Sequence, residues 1–271
     1  MSDATEVPAA RSARSIRRVI LGVLWLQVAI ALYLAGSDIG ARLDGLASGW
    51  RPSAAPSIRE PVAPGDQTRR YRPADMGPQP SDPSRRVAFP GGDSLPPRLA
   101  FEEADGTAFL KGTIAPGDAA RFGEWLADRP DLTAVRLMSP GGSVQDALQI
   151  GRAIRSAGLE TAMLAGDICY SACPYVLAGG VRRQVDDGAS VGVHQHYFGE
   201  STVLPAFVAV EKIQQGQARV VAYLDEMGID LRLTEHALAT PPDEIYVLIP
   251  KELRDYRLVT PAENQAAVDE S

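Results

Sequence analysis

The sequence predicts an α/β domain, a mainly parallel sheet with helical crossovers, preceded by one transmembrane helix and a disordered linker. Three observations predict it. Strand-like and helix-like segments alternate from residue 98 to 260, an apolar run stands near the N-terminus, and a proline- and arginine-rich stretch separates the two. Alternation favours parallel pairing, because each helix carries the chain back across the sheet before the next strand begins.

Residues 19–36, VILGVLWLQVAIALYLAG, are apolar with Gln27 as the one strongly polar interruption; about 18 to 20 such residues can cross a bilayer as a helix. Arg11, Arg14, Arg17 and Arg18 stand just before the run. Arginines on that flank keep residues 1–18 in the cytoplasm and put everything after Gly36 on the far side. That predicts a single-pass membrane protein with its globular part exported; in a bacterial envelope this means an inner-membrane anchor with the domain in the periplasm or outside. A cleaved signal peptide is the alternative, since LAGS offers small residues, although the run exceeds the roughly 7 to 15 residues of a signal core.

Residues 37–97 read as the linker. Between Trp50 and Pro97 lie eleven of the 21 prolines and seven arginines, a composition without apolar periodicity to offset the entropy of ordering. The segment LAFEEADGTAFLKGTI then reads as strand, turn and strand, GDAARFGEWLAD as a helix, and TAVRLM as a buried strand. In SVQDALQIGRAIRSAG, Ala147, Ile150, Gly151 and Ile154 share one helical face. LETAML is a strand, a helix starts near Ser171, and ASVGVH is a strand. A long helix from about Pro205 to Met227, the helix LRLTEHALA and a final helix PKELRDY complete residues 98–260, and 261–271 form a tail.

Composition bounds function. With 45% hydrophobic residues in 271, the chain has enough apolar content for a sizeable core. A net charge of -7 argues against nucleic-acid binding, which needs basic surface to displace counterions. No phosphate-binding glycine loop appears, so no cofactor is expected, and an exported domain would lack ATP for an unfolding partner.

Two short segments carry the chemistry. In VRLMSPGGSV a predicted strand ends at Gly141 and Gly142, whose lack of side chains leaves backbone N–H groups open to an oxyanion. In GDICYSACPYVLAGG, Ser171 stands where a strand or loop gives way to an apolar helix. An N-cap serine is the bland reading. Downstream, ASVGVHQHYF brings His194 to a strand end, and a serine hydroxyl needs such a base to become a nucleophile.

SPGGSV, YSACPYVLAGG and VGVHQ, in that order, resemble the Clp-type peptidases of the ClpP/crotonase superfamily, and the exported ClpP-like proteins of bacteria in particular. The resemblance covers residues 99–259, leaving out the anchor and linker. It implies a ClpP/crotonase-like fold and a serine peptidase-like site. Ser171 would be the nucleophile, His194 the general base, and the amides of Gly142 and Ala172, with Gly141 beside them, the oxyanion hole. It further implies a peptide or protein substrate and a homo-oligomer.

The third triad position is a departure. Aligning PKELRDYRLV without a gap puts Ile245 at the acidic position; a small gap restores Asp243 or Glu244, and otherwise the site is a dyad. A second arrangement stays open, because VEKIQQGQARVVAYLDEMG resembles the lysine-bearing helix of NfeD-type enzymes, with Lys212 as the alternative base. Lys212 shares its face with Val208, Gln215 and Arg219, an exposed pattern. His196 reads as a cleft or surface histidine and His236 as a surface helix residue. Cys169 and Cys173 flank Ser171 and admit three readings: a disulfide, two buried thiols, or a Cys2His2 zinc site with His194 and His196. No metal is expected at the catalytic site. A catalytically silent binding or scaffolding module is the alternative function.

Overall fold

A computed structural model describes residues 17–34, 36, 55–58, 60–72, 95–196 and 206–261. The chain divides into two compact units, residues Met1–Ser53 and Ala54–Ser271. In the first, helix α1 (Arg17–Leu34) has a mean hydropathy of 1.6, long and apolar enough to cross a membrane or to serve as a signal. Its large apolar side chains are exposed, Trp25 and Leu32 among them.

The second unit is mixed α/β and only partly parallel. Strands β2 (Ala100–Ala104) and β3 (Thr107–Lys111) form an antiparallel hairpin across Asp105 and Gly106, both at positive φ. That is the backbone a two-residue hairpin turn demands. Helix α2 (Asp118–Ala127), β4 (Ala134–Met138), α3 (Val144–Ser156), β5 (Glu160–Met163), β6 (Ile168–Tyr170), α4 (Cys173–Ala178) and β7 (Arg183–Val185) follow. The five-stranded sheet runs β2-β3-β4-β5-β7, parallel from β3 onward.

The remaining elements are β8 (Ser190–Val193), α5 (Ala206–Glu226), α6 (Leu233–Ala239), β9 (Glu244–Val247) and α7 (Pro250–Asp255). With β1 (Thr68–Arg70) they complete a second sheet, β1-β9-β8-β6, in which only β6 and β8 are parallel. The mainly parallel expectation therefore needs correction. Its antiparallel pairs involve β1 and β9, segments that read as linker and loop, so their contribution was invisible to a strand–helix alternation.

The linker expectation also changes. Residues 60–72 pack against the domain: β1 pairs with β9, Tyr71 is buried, and Arg69 is 1% exposed, bonded to the Pro61 and Thr68 carbonyls and to Asp66. Ile58, Val62 and Tyr71 join Ile168, Tyr170 and Ile245 in a small second core. Burial of these few apolar side chains, at about 25 cal/mol per Å², offsets the ordering entropy that the surrounding prolines and arginines alone could not. The rest of 37–94, apart from 55–58, and the tail 262–271 lie outside the described residues.

The two sheets join through β4. Beyond its end, Ser139 bridges Cys169 of β6, with Ser139 N–H donating to Ile168 O (2.8 Å) and Tyr170 N–H to Ser139 O (3.1 Å). Helices α3 and α4 cross so closely that a Cβ on Gly179 would stand 2.6 Å from Gly151 Cα. Arg155 of α3 donates to the carbonyls of Ala178, Gly179 and Gly180, the unpaired end of α4. These contacts lock the helix after the glycine turn to the helix after Ser171.

Candidate active site

Register brings the site together. Tyr170 of β6 pairs with Gly192 of β8, so Ser171 and His194 emerge at the same, C-terminal end of adjacent parallel strands, where ligands usually bind in such sheets. Ser171 Oγ lies 2.7 Å from His194 Nε2. Ser171 is half-buried and has φ of +61°, a region that a residue with a Cβ enters at a cost of about 1–2 kcal/mol. The sharp turn aims its side chain away from the strand it ends. Ser171 N–H donates to Gly192 O (2.9 Å), pinning the turn to β8.

Cys169 and Cys173 are joined as a disulfide across this turn, with Cα atoms 5.1 Å apart and both residues fully buried. Their sulfurs are bonded to each other, so the thiolates that a Cys2His2 zinc site with His194 and His196 needs are not present.

The glycine turn lies directly against Ser171. A Cβ on Gly141 would stand 2.5 Å from Tyr170 O and 2.6 Å from Ser171 Cβ, so only glycine allows this approach. Gly141 and Gly142 have φ of +96° and +140°. Ile114 holds the turn from the other side: its N–H donates to Gly141 O (2.8 Å) and its carbonyl accepts from Ser143 N–H (2.7 Å). Ser143 caps α3 by accepting from Asp146 N–H, and Asp146 in turn accepts from Gly117 and Ala119 N–H of the α2 start. The three amides differ. Gly141 N–H donates to Ser139 Oγ (3.1 Å), whereas those of Gly142 and Ala172 have no acceptor among the described residues.

His194 is 7% exposed, and its Nδ1 lies 3.1 Å from Pro242 O. A carbonyl only accepts, so Nδ1 carries the proton in neutral imidazole and Nε2 is left to accept from Ser171. Asp243 does not take this place. Its side chain is exposed, and its backbone carbonyl accepts from Tyr71 N–H (2.8 Å). The orienting group is thus a peptide dipole one residue upstream of the expected acid, which no residue-type pattern could signal. Glu244 is in β9, paired with Arg70. Lys212 is exposed on α5.

The other histidines are more engaged than expected. His196 Nε2 is 2.7 Å from Tyr175 Oη, and burial, with the charge of His194, pushes its pKa down to about 4. His236 stacks on Tyr246 at 4.1 Å and lies 2.7 Å from Tyr256 Oη, a partly buried aromatic cluster rather than open surface.

Burial also lowers the His194 pKa, opposed by hydrogen bonds to the Pro242 and Pro241 carbonyls. Both histidines bind a proton less readily folded than unfolded. Their contribution to stability is therefore full above their ordinary value near pH 6.5 and is lost as pH falls below it, for His196 toward about 4. The expected result is a melting temperature that is flat above about pH 7. Below it, stability falls by up to about 1.4 kcal/mol per pH unit for each histidine. A scan in which His196→Gln shows the same acid slope as the parent would refute this.

No protein-family model and no curated protein matches the sequence. Among solved structures the chain is similar to a ClpP1 mutant from Listeria monocytogenes, with 16% identity and a TM-score of 0.46. That match covers 56% of this chain and 88% of the other.

Proposed function

We propose that the chain is a membrane-anchored serine hydrolase, an ATP-independent peptidase of Clp type, that acylates Ser171 with His194 as base. The observation that carries this reading is the Ser171–His194 contact of 2.7 Å, with the Gly142 and Ala172 amides lacking an acceptor among the described residues. The order of SPGGSV, YSACPYVLAGG and VGVHQ in the sequence adds to it.

In the proposed reaction Ser171 Oγ attacks the substrate carbonyl carbon as its proton passes to His194 Nε2. The oxyanion gains hydrogen bonds from Gly142 and Ala172 N–H. Collapse breaks the C–N bond, and the leaving amine takes the proton from Nε2. Water then hydrolyses the acyl ester with His194 again accepting a proton. The Pro242 carbonyl orients the imidazole as the acid of a triad would, but it stabilises the imidazolium less because it carries no full charge. The site thus functions as a Ser/His pair with a backbone orienter.

The test is covalent labelling of the full-length protein in detergent micelles by a fluorophosphonate. Labelling is expected in the parent, to fall at least about 100-fold in His194→Ala, and to stay within about twofold in Lys212→Ala and Asp243→Asn. Loss in Lys212→Ala alone would move the base to the lysine, and no labelling of the folded parent would leave the binding module. On the same reading, α1 is the anchor and unit two faces the periplasm. Protection of that unit from protease in intact spheroplasts would overturn the orientation. Self-association into a homo-oligomer is part of the proposal, and light scattering of the micelle-bound protein tests it.

A further inference from the structure

We propose that Tyr71, supplied from upstream of the crossover domain, is a positioning residue for this site, holding His194, the glycine turn and the Pro242–Asp243 loop in one arrangement. The inference rests on the serine-hydrolase reading. Three contacts of one residue carry it. The Tyr71 ring packs edge-on against the His194 imidazole, centroids 5.1 Å apart at 72°. Its hydroxyl donates to the carbonyl of Pro140, two residues before the Gly142 amide. Its N–H donates to the carbonyl of Asp243, adjacent to the carbonyl that holds His194 Nδ1.

Each contact acts on a different part of the reaction. The ring covers one face of the base and shuts out water. The hydroxyl ties the oxyanion side to the base side, and the amide steadies the orienting loop. Tyr71 is 2% exposed, its second aromatic neighbour is Tyr170 at 6.0 Å, and burial pushes its phenol well above the usual range, so it stays a donor. Residue 71 reaches this position because β1 pairs with β9 in the register Arg70 to Glu244. The consequence is functional: a fragment starting at residue 98 has every residue of the Ser/His pair yet lacks the group that holds the pair in place.

The titratable groups around His194 are Tyr71 and Tyr170, both kept protonated by burial, and His196, whose pKa is about 4. Asp243 on the adjoining loop is exposed. Below neutrality, then, the acid limb of labelling reports His194.

The experiment compares Tyr71→Leu, Tyr71→Phe and Val62→Ala in the full-length protein by the pH dependence of fluorophosphonate labelling and by imidazole NMR titration of His194. Val62 belongs to the same small core as Tyr71 and controls for general loosening. In Tyr71→Leu the labelling rate should fall about tenfold or more, and the His194 pKa should rise toward its ordinary value as water reaches the ring. In Tyr71→Phe the ring remains, so the pKa should hold while the rate falls severalfold from loss of the Pro140 bond. Val62→Ala should lower stability and leave both readouts alone. If Tyr71→Leu does not fold, Tyr71→Phe decides: an unchanged rate overturns the proposal. An unchanged His194 titration in folded Tyr71→Leu, or an equal shift in Val62→Ala, overturns it too. A parent that titrates as described but is never labelled refutes the hydrolase reading instead.

Discussion

In Ser171→Ala, fluorophosphonate labelling and any peptide hydrolysis should fall by about 10³-fold or more, because removing a nucleophile from a hydrolase leaves only the catalysis that binding and oxyanion donors supply. The prediction is sharp here because His194 Nε2 faces Ser171 Oγ, and the Tyr175 hydroxyl bonds to His196 instead. Stability gives a second readout. Alanine retains a Cβ at φ of +61°, whereas glycine is free there, so Ser171→Gly should be more stable than Ser171→Ala by about 1–2 kcal/mol. Equal denaturation midpoints would mean that the turn is not held in the left-handed region. Residual labelling in Ser171→Ala would locate the nucleophile elsewhere.

Gly142→Ala should cost both stability and rate. The residue sits at φ of +140°, and an added Cβ would fall on the Ile114 peptide, 2.9 Å from its carbon and closer still to its oxygen. Left-handed strain of about 1–3 kcal/mol and overpacking of similar size together predict a loss of about 2–6 kcal/mol. The obstruction is backbone, so it cannot relax by a change of rotamer. Gly158→Ala is the control: φ there is +68° with nothing within 4 Å of the added atom, so about 1 kcal/mol is expected from strain alone. Urea denaturation of the two variants measures the difference. If Gly142→Ala folds as stably as Gly158→Ala, the turn is free to move from Ile114 and is no rigid donor of hydrogen bonds. Labelling of a folded Gly142→Ala should also drop about 10²-fold as the amide shifts from the oxyanion.

Much of the five-stranded sheet is legible in the chain. Segments 99–114, 133–138 and 159–164 contain β2, β3, β4 and β5, and segments 117–128 and 143–158 contain α2 and α3. Each has five or more residues of consistent period or a clear cap, such as Ser143 ahead of α3. Strands β1, β6 and β7 escape because three residues hold too little of a two-residue period to be told from a loop, and β9, as long as the legible β5 and β8, is hidden by the Pro241–Pro242 pair and Asp243 before it, which read as a loop. For β1 the obstacle is compositional: TRRY sits inside a proline- and arginine-rich run, and the only local hint of order was the apolar trio Ile58, Val62 and Tyr71.

What the sequence by itself determined is local: the apolar span 19–36, the paired glycines that permit a turn of positive φ, the helix starts at residues 118 and 144, and, through a resemblance of three motifs in order, Ser171 and His194 as the residues to look for. Only the tertiary structure decided which groups surround them. The imidazole is oriented by the Pro242 carbonyl with Asp243 turned outward, Gly141 N–H is taken by Ser139, and Tyr71 arrives from residues that read as linker. The physical reason is common to all three. A backbone carbonyl or amide has no residue-type signature, and which one faces a side chain is set by strand register between segments far apart in the chain, as in the pairing of Thr68–Arg70 with Glu244–Tyr246 that brings Tyr71 to Asp243. Local propensity does not encode that register; it follows from burying Ile168, Tyr170, Ile245 and Tyr71 on one face of the second sheet.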